Sequence, residues 1–202
     1  MKRFFNNYFI LLVLLTAGCG AAKSPRYYLL STPAITPQAG APQFPATILV
    51  GRFSAPRVLR DDRVVYGMSD VELGVDEYHR WSEPPTEMIE QLLVERLRRS
   101  GQYKSVQKIS STARGDFLLR GHLTAMNEID EGSGIKARFN IQLELFDQKA
   151  GLVVWTESYS HDEPVEKKTV SAVVEALQRG VNAGLEQLTT SLAQYFAAHS
   201  AR

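Results

Sequence analysis

From Arg138 to Leu145 polar and apolar residues alternate without a break: Phe139, Ile141, Leu143 and Leu145 on one side, Arg138, Asn140, Gln142 and Glu144 on the other. A period of two predicts a strand with one buried and one wet face. Gln148-Lys149-Ala150-Gly151 then predicts a turn into a strand over Leu152 to Ser160, closing a hairpin. Upstream, Phe117 to about Ile129 reads as a strand, with a turn at Gly132-Ser133-Gly134. Further strands are predicted at Tyr27–Leu30, at the β-branched run Thr47–Phe53, at Arg63–Met68, and from Val71 through Val75 towards Trp81 after a turn near Ser69 and Asp70. Between the first two lies Ser31 to Pro45, with Pro33, Pro37, Pro42, Pro45 and Gly40, a loop that crosses within the domain. The period changes to 3.6 in two places. Pro84-Pro85-Thr86-Glu87 opens a helix whose Met88, Ile89, Leu92, Leu93 and Leu97 share a face, Arg96 standing off it, and Ser100-Gly101 ends it. A long helix follows Pro164, with Val170, Val173, Val174, Leu177, Val181, Leu185, Leu188, Leu192, Tyr195 and Phe196 on its apolar side. The order strands, helix, hairpin, helix predicts an α+β fold: a mainly antiparallel sheet with two amphipathic helices packed on one face.

The N-terminus follows different rules. Lys2 and Arg3 precede an apolar stretch, Phe9 to Leu15, which leads through Thr16-Ala17-Gly18 to Cys19, the only cysteine. A basic start, a short apolar run and a small-residue exit make a secretory signal. The run is well short of the roughly 20 residues a spanning helix needs. Small residues immediately before a cysteine resemble a bacterial lipoprotein signal, which implies cleavage before Cys19 and acylation of its thiol and new N-terminus with palmitate-type chains. One chain holds a protein to a membrane only marginally and two or more hold it stably. By the same resemblance, Gly20 rather than Asp after the cysteine points to the outer membrane. The expected organisation is a signal peptide over 1–18, a lipidated tether over 19–24 and a single periplasmic α+β domain over 25–202.

The mature length is enough for one domain with a real core. A formal net charge of +1 and the lack of a long basic block argue against a nucleic-acid partner. A lone cysteine excludes an intramolecular disulfide and a cysteine-based zinc site. No pair among His79, His122, His161 and His199 has the spacing of a helical metal site. No Gly-x-Ser-x-Gly elbow is present, and Gly132-Ser133-Gly134 is too short for a phosphate loop. His161-Asp162-Glu163 reads as a solvated turn, and Asp61-Asp62 and Asp130-Glu131 read as loop charges. No catalytic residue, metal or cofactor is expected, and the chain is not expected to be an enzyme.

Two segments carry more information: Val50 through Tyr66, and Tyr78-His79-Arg80-Trp81-Ser82-Glu83-Pro84. With the Tyr-Tyr-Leu strand after a lipidated cysteine, they resemble the auxiliary lipoproteins of ABC-type intermembrane lipid transport systems, the family that includes the paraquat-inducible protein C lipoproteins. The resemblance rests on Tyr27 to Leu30, on Val50, Gly51, Pro56, Leu59, Asp62 and Arg63, and on Arg80, Trp81, Glu83 and Pro84, in order along nearly the whole mature chain. Arg57 with Val58 and the doubled Asp61-Asp62 depart from the family's pattern. The resemblance implies an outer-membrane lipoprotein on the inner leaflet, facing the periplasm, that docks an MCE-domain protein of an ABC-type lipid transporter and forms homo-oligomers. Arg57, Leu59, Arg60, Asp62, Arg63, Tyr66, Arg80 and Trp81 are the candidate partner-binding residues, since Arg, Tyr and Trp dominate binding hot spots. The residues themselves leave a plainer reading open, in which Trp81 is core, Arg80 and Glu83 pair locally, and the arginines are a solvated run. Other functions also remain open: a lipoprotein of a secretion, pilus or lipopolysaccharide-assembly machine, a lipid carrier with an apolar pocket, or a hydrolase using His122 or His161.

Overall fold

A computed structural model describes residues 23–199 apart from 32, 34–39, 68–70, 111 and 133. The signal segment, Cys19, tether residues 20–22, Met68, the turn at Ser69 and Asp70, and Ser133 lie outside the described residues.

The chain runs β1 (Arg26–Tyr28), β2 (Phe44–Val50), a 3-10 turn (Arg57–Arg60), β3 (Arg63–Gly67), β4 (Leu73–Trp81), α1 (Pro85–Arg99), β5 (Tyr103–Lys108), β6 (Phe117–Asp130), β7 (Ile135–Asp147), β8 (Leu152–Val165) and α2 (Val170–His199). The strands form one 8-stranded mixed sheet. The three long strands pair antiparallel, β6 with β7 and β7 with β8. β3 and β4 pair antiparallel as well. Parallel pairing joins β1 to β4, β2 to β5, and both β2 and β3 to β6. The fold is α+β as expected, with more parallel pairing than turn lengths alone indicate.

β7 behaves as its alternation dictates. Ile135, Ala137, Phe139, Ile141, Leu143 and Leu145 are buried, and the residues between them face solvent beside polar partners. Its inner face, with Leu119, Leu123 and Met126 of β6, meets both helices in one core cluster. α1 begins where Pro85 supplies a pre-set φ and gives up no needed N–H. It ends at Gly101, whose φ of 65° only glycine adopts easily. α2 lies close over β7 and β8 because glycine faces them: a Cβ on Gly184 would stand 2.7 Å from the Tyr159 ring and 3.0 Å from the Phe139 ring.

β5 is a strand that periodicity misses. Only Tyr103 and Val106 are apolar in it, and both are buried. His161-Asp162-Glu163 lies inside β8 rather than in a turn. Arg138 grips Asp162 through two hydrogen bonds of 2.8 and 2.7 Å across the β7–β8 pair. Glu163 accepts from His161 at 3.0 Å and from Arg179 of α2 at 2.9 Å.

β6 is the spine. One edge pairs along its whole length with β7. The other is shared: β2 takes Phe117–Leu119 and β3 takes Asn127–Ile129. Between them the chain holds on at Ser54, which bridges to His122. There Phe53 folds its ring over Gly121, where a Cβ would stand 2.5 Å from the ring.

Two outcomes follow from this packing. Gly121→Ala forces the buried Phe53 ring to shift, at about 1–3 kcal/mol for overpacking. Thermal unfolding should then fall by about 2–10 °C for a domain of this size, and adding Phe53→Leu should recover part of the loss. The second outcome concerns acid. The hydrogen-bonded Arg138 guanidinium holds the Asp162 carboxyl below its ordinary value, and Arg179 followed by His161 does the same for Glu163. Both are more acidic folded than unfolded. The stability they add is complete above the ordinary carboxylate range and is lost as pH falls through their folded values. Denaturant midpoints should stay level from neutral pH to about pH 5 and fall below about pH 4. Asp162→Asn should lower the neutral-pH midpoint and flatten that decline.

Candidate docking surface

Leaving β2, the chain keeps hydrogen-bonding to β6. Gly51 N–H donates to the Leu119 carbonyl at 2.8 Å and Ser54 N–H to the Gly121 carbonyl at 2.9 Å, while Leu123 N–H donates to the Ser54 carbonyl at 2.9 Å. At Pro56 it turns away from the sheet. Leu59 N–H closes on the Pro56 carbonyl at 3.0 Å, which makes Arg57–Arg60 a single 3-10 turn. Residues three apart in such a turn lie above one another. Arg57 and Arg60 are therefore neighbours on its outer side, both exposed, while Leu59 points into the core.

Aspartates tie the turn down. Asp61 accepts from both Nε and Nη2 of Arg63, at 3.2 and 2.9 Å, and from the Asp62 N–H at 2.7 Å. The Arg63 guanidinium, first among these, holds the Asp61 carboxyl below the usual carboxylate range. Exposed pairs of this kind contribute under about 1 kcal/mol, so Asp61 shapes the turn more than it stabilises the fold. Asp62 reaches further. Its carboxylate accepts from Arg80 Nη1 at 2.7 Å and its carbonyl accepts the Trp81 N–H at 2.5 Å. Trp81 is 1% exposed, with Tyr28 edge-on to it at 6.4 Å. Asp61 and Asp62 are thus the braces of the turn rather than free loop charges.

The sequence-derived candidates sort into three groups. Arg57 and Arg60 present their guanidinium groups outward, and among the described residues no carboxylate pairs with either. Asp62, Arg63 and Arg80 are half-buried and engaged in the brace. Leu59 and Trp81 are core and support the turn from beneath. Tyr66 stands apart at the far end of β3, its ring covering Gly74, where a Cβ would lie 2.5 Å away. The structure therefore brings Arg57, Arg60, Asp62, Arg63 and Arg80 together and leaves Tyr66 out.

Two concavities flank Arg60. One, of about 750 Å³, is lined by Arg57, Val58, Arg60, Asp61, Arg63 and Val75. The other, of about 460 Å³, is walled by Arg52, Arg60, Lys108 and the start of α1 at Pro84, Thr86 and Glu87. Lys108 is held there by the buried Glu90 at 2.9 Å. Arg52 and Lys108 were not among the sequence candidates. Arg52 sits in a strand-like run, and Lys108 belongs to the strand that periodicity passes over.

One contact bears on the hydrolase reading. Ser54 Oγ lies 2.8 Å from His122 Nδ1. Nucleophilic catalysis needs a third group orienting the base, and among the described residues no carboxylate reaches the other ring nitrogen. Ser54 Oγ also lies 3.3 Å from the Gly121 carbonyl. The pair is a cross-strand link where β2 passes along β6. Among the described residues no cluster of His, Cys, Asp and Glu is arranged to hold a metal. A third concavity, of about 480 Å³ between α1 and α2, mixes apolar Phe44, Leu97, Ala193 and Ala197 with polar Gln43, Arg96, Gln102 and Gln194. Among the described residues no helix is long and apolar enough to cross a membrane.

Solved structures share this architecture. Protein XCC0632 of Xanthomonas campestris, from family DUF330, superposes with a TM-score of 0.76 at 21% identity, over 88% of this chain and 100% of that one. A second, described only as an uncharacterised protein, superposes with a TM-score of 0.64 at 17% identity, over 84% and 99%. The hypothetical protein CT253 of Chlamydia trachomatis does so with a TM-score of 0.51 at 6% identity, over 77% and 99%. At these identities the likeness is one of fold. No curated protein matches the chain. The model of the ABC-type transport auxiliary lipoprotein component family matches residues 27–193, from β1 through most of α2. That span takes in the braced arginine turn, the Arg80-Trp81 element and both helices, and the chain accordingly belongs to the family of ABC-type transport auxiliary lipoprotein components.

Proposed function

We propose that this chain is an outer-membrane lipoprotein, anchored through Cys19 on the inner leaflet and facing the periplasm, that docks an MCE-domain protein of an ABC-type lipid transport system. Membership of the transport-auxiliary family supports a role beside a transporter, one without catalysis of its own. The observation that carries the docking surface is the braced 3-10 turn. Arg57 and Arg60 stand side by side without a partner among the described residues, on a turn pinned by the Asp62 brace and the buried Leu59. Side chains held in place lose less freedom on binding, so more of the contact energy appears as affinity. Arginine on such a mount recognises carboxylates through paired N–H donors. The mechanism is tethering: holding the partner at the membrane raises its effective concentration there. Homo-oligomers would multiply that effect by presenting several such turns at once.

The test is recovery of partners from membranes by the chain expressed with its native signal. An MCE-domain protein with ABC subunits is the expected product. Arg57→Glu with Arg60→Glu should reduce recovery at least tenfold, about 1.4 kcal/mol or more, with thermal unfolding unchanged because both side chains are exposed. Asp62→Ala should reduce it less, by loosening the mount. Cys19→Ser should keep partner recognition and lose the membrane. Recovery of secretion, pilus or lipopolysaccharide-assembly components instead would contradict the proposal.

A further inference from the structure

The smaller concavity beside Arg60, of about 460 Å³, has a buried polar floor. Three cations reach it from three elements: Arg52 from the chain leaving β2, Arg60 from the 3-10 turn and Lys108 from the end of β5. The Ile109 N–H donates to the Val50 carbonyl at 2.8 Å, which holds the end of β5 against that chain. The start of α1 supplies the floor. Pro84 caps the helix without a side-chain bond, and Pro85 has no N–H to offer. The Glu87 and Met88 N–H groups both close on the Pro84 carbonyl, at 2.9 and 3.2 Å. Thr86 is left over, 7% exposed and lining the cavity. Among the described residues neither its N–H nor its hydroxyl has an acceptor.

We infer that this cavity binds a phosphodiester monoanion, a group found in phospholipid headgroups and in soluble glycerophosphodiesters. Buried donors in proteins are mostly bonded, so two idle ones on a buried residue call for an acceptor from outside the chain. A helix N-terminus favours an anionic acceptor, and the cations favour it further. Lys108 is already matched by the buried Glu90 at 2.9 Å. Arg52 and Arg60 have no carboxylate partner among the described residues, and the exposed Glu87 opposes them with one negative charge. One positive charge is left over, which a diester's single negative charge meets and the near-double charge of a monoester exceeds. The donors come from the β2 exit, the 3-10 turn and the helix start. A tetrahedral phosphate presents oxygens in all those directions, whereas a carboxylate presents two in one plane. Ile109, 45% exposed, lines the same cavity with Phe53. Carbon attached to the phosphate has that apolar surface to cover, and a free phosphate has nothing to cover it with. The volume falls within the range of about 300–1,000 Å³ typical of small-molecule sites. The inference does not rest on the docking reading, although Arg60 serves both.

The test needs no partner protein. The full chain, purified from membranes in dodecyl maltoside and phosphate-free buffer, is titrated calorimetrically with glycerophosphoglycerol. Saturable one-to-one binding is the expected result. Arg52→Gln should weaken it about tenfold or more and, as an exposed change, should leave thermal unfolding of the empty chain in place. Thr86→Val keeps the side-chain shape, removes the hydroxyl and should weaken binding about threefold or more. Inorganic phosphate should bind about fourfold more weakly or worse, the worth of one buried methylene. Phosphatidylglycerol added to the micelles separates the two sources: displacement of the ester assigns the site to a lipid headgroup, and failure to displace it assigns the site to soluble esters. The inference would be overturned by no saturable binding, by binding that Arg52→Gln leaves unchanged, or by inorganic phosphate binding as tightly as the ester.

Discussion

The second edge of β6 is divided between two strands, and the chain between them has no place in the sheet. β2 occupies the first part, β3 occupies the last, and Ser54 holds the chain to His122 at the boundary. From Pro56 to Asp62 the backbone must leave the sheet and return. Backbone groups outside a ladder still need partners, and they find them locally: the Pro56 carbonyl takes Leu59 N–H, and the Asp62 carbonyl takes Trp81 N–H. The exposed arginine turn follows from this constraint. It projects because the sheet excludes it, and it is ordered because its return is bonded to the residue that closes β4.

The same pairing gives the domain two unlike ends. The short β3–β4 hairpin has the arginine turn beside one end and exposed Val71 and Leu73 at the other. Nothing in this arrangement requires a moving part. The core is continuous from α1 to α2.

Much of this fold was legible in the sequence, for physical reasons that can be named. The β7 alternation and the long apolar stripe of α2 are signals of burial, and burial is what periodicity reports. β5 went unseen because a short polar strand with two apolar residues, paired to a single neighbour, has almost no period to read. The close seating of α2 was hidden because Gly184 shows as a gap in the apolar pattern, although the gap admits the Tyr159 ring. His161-Asp162-Glu163 looked like a turn because charge next to proline usually marks one, yet cross-strand Arg138 and the helix residue Arg179 neutralise it within β8. At the candidate surface, residue types were readable and directions were not. Trp81 and Leu59 have the chemistry of binding anchors and serve as the floor. Arg52 and Lys108 joined the surface only when distant strands met. No spacing rule links Asp62 to Arg80, which come together through the return of β4.

The docking account is tested most directly by photo-crosslinking in intact envelopes, with a photoreactive residue at position 60 or position 71 of the full-length chain. Position 60 should capture an MCE-domain protein, and position 71, at the far end of the β3–β4 hairpin, should not. Capture of the MCE-domain protein from position 71 and not from position 60 would contradict the account.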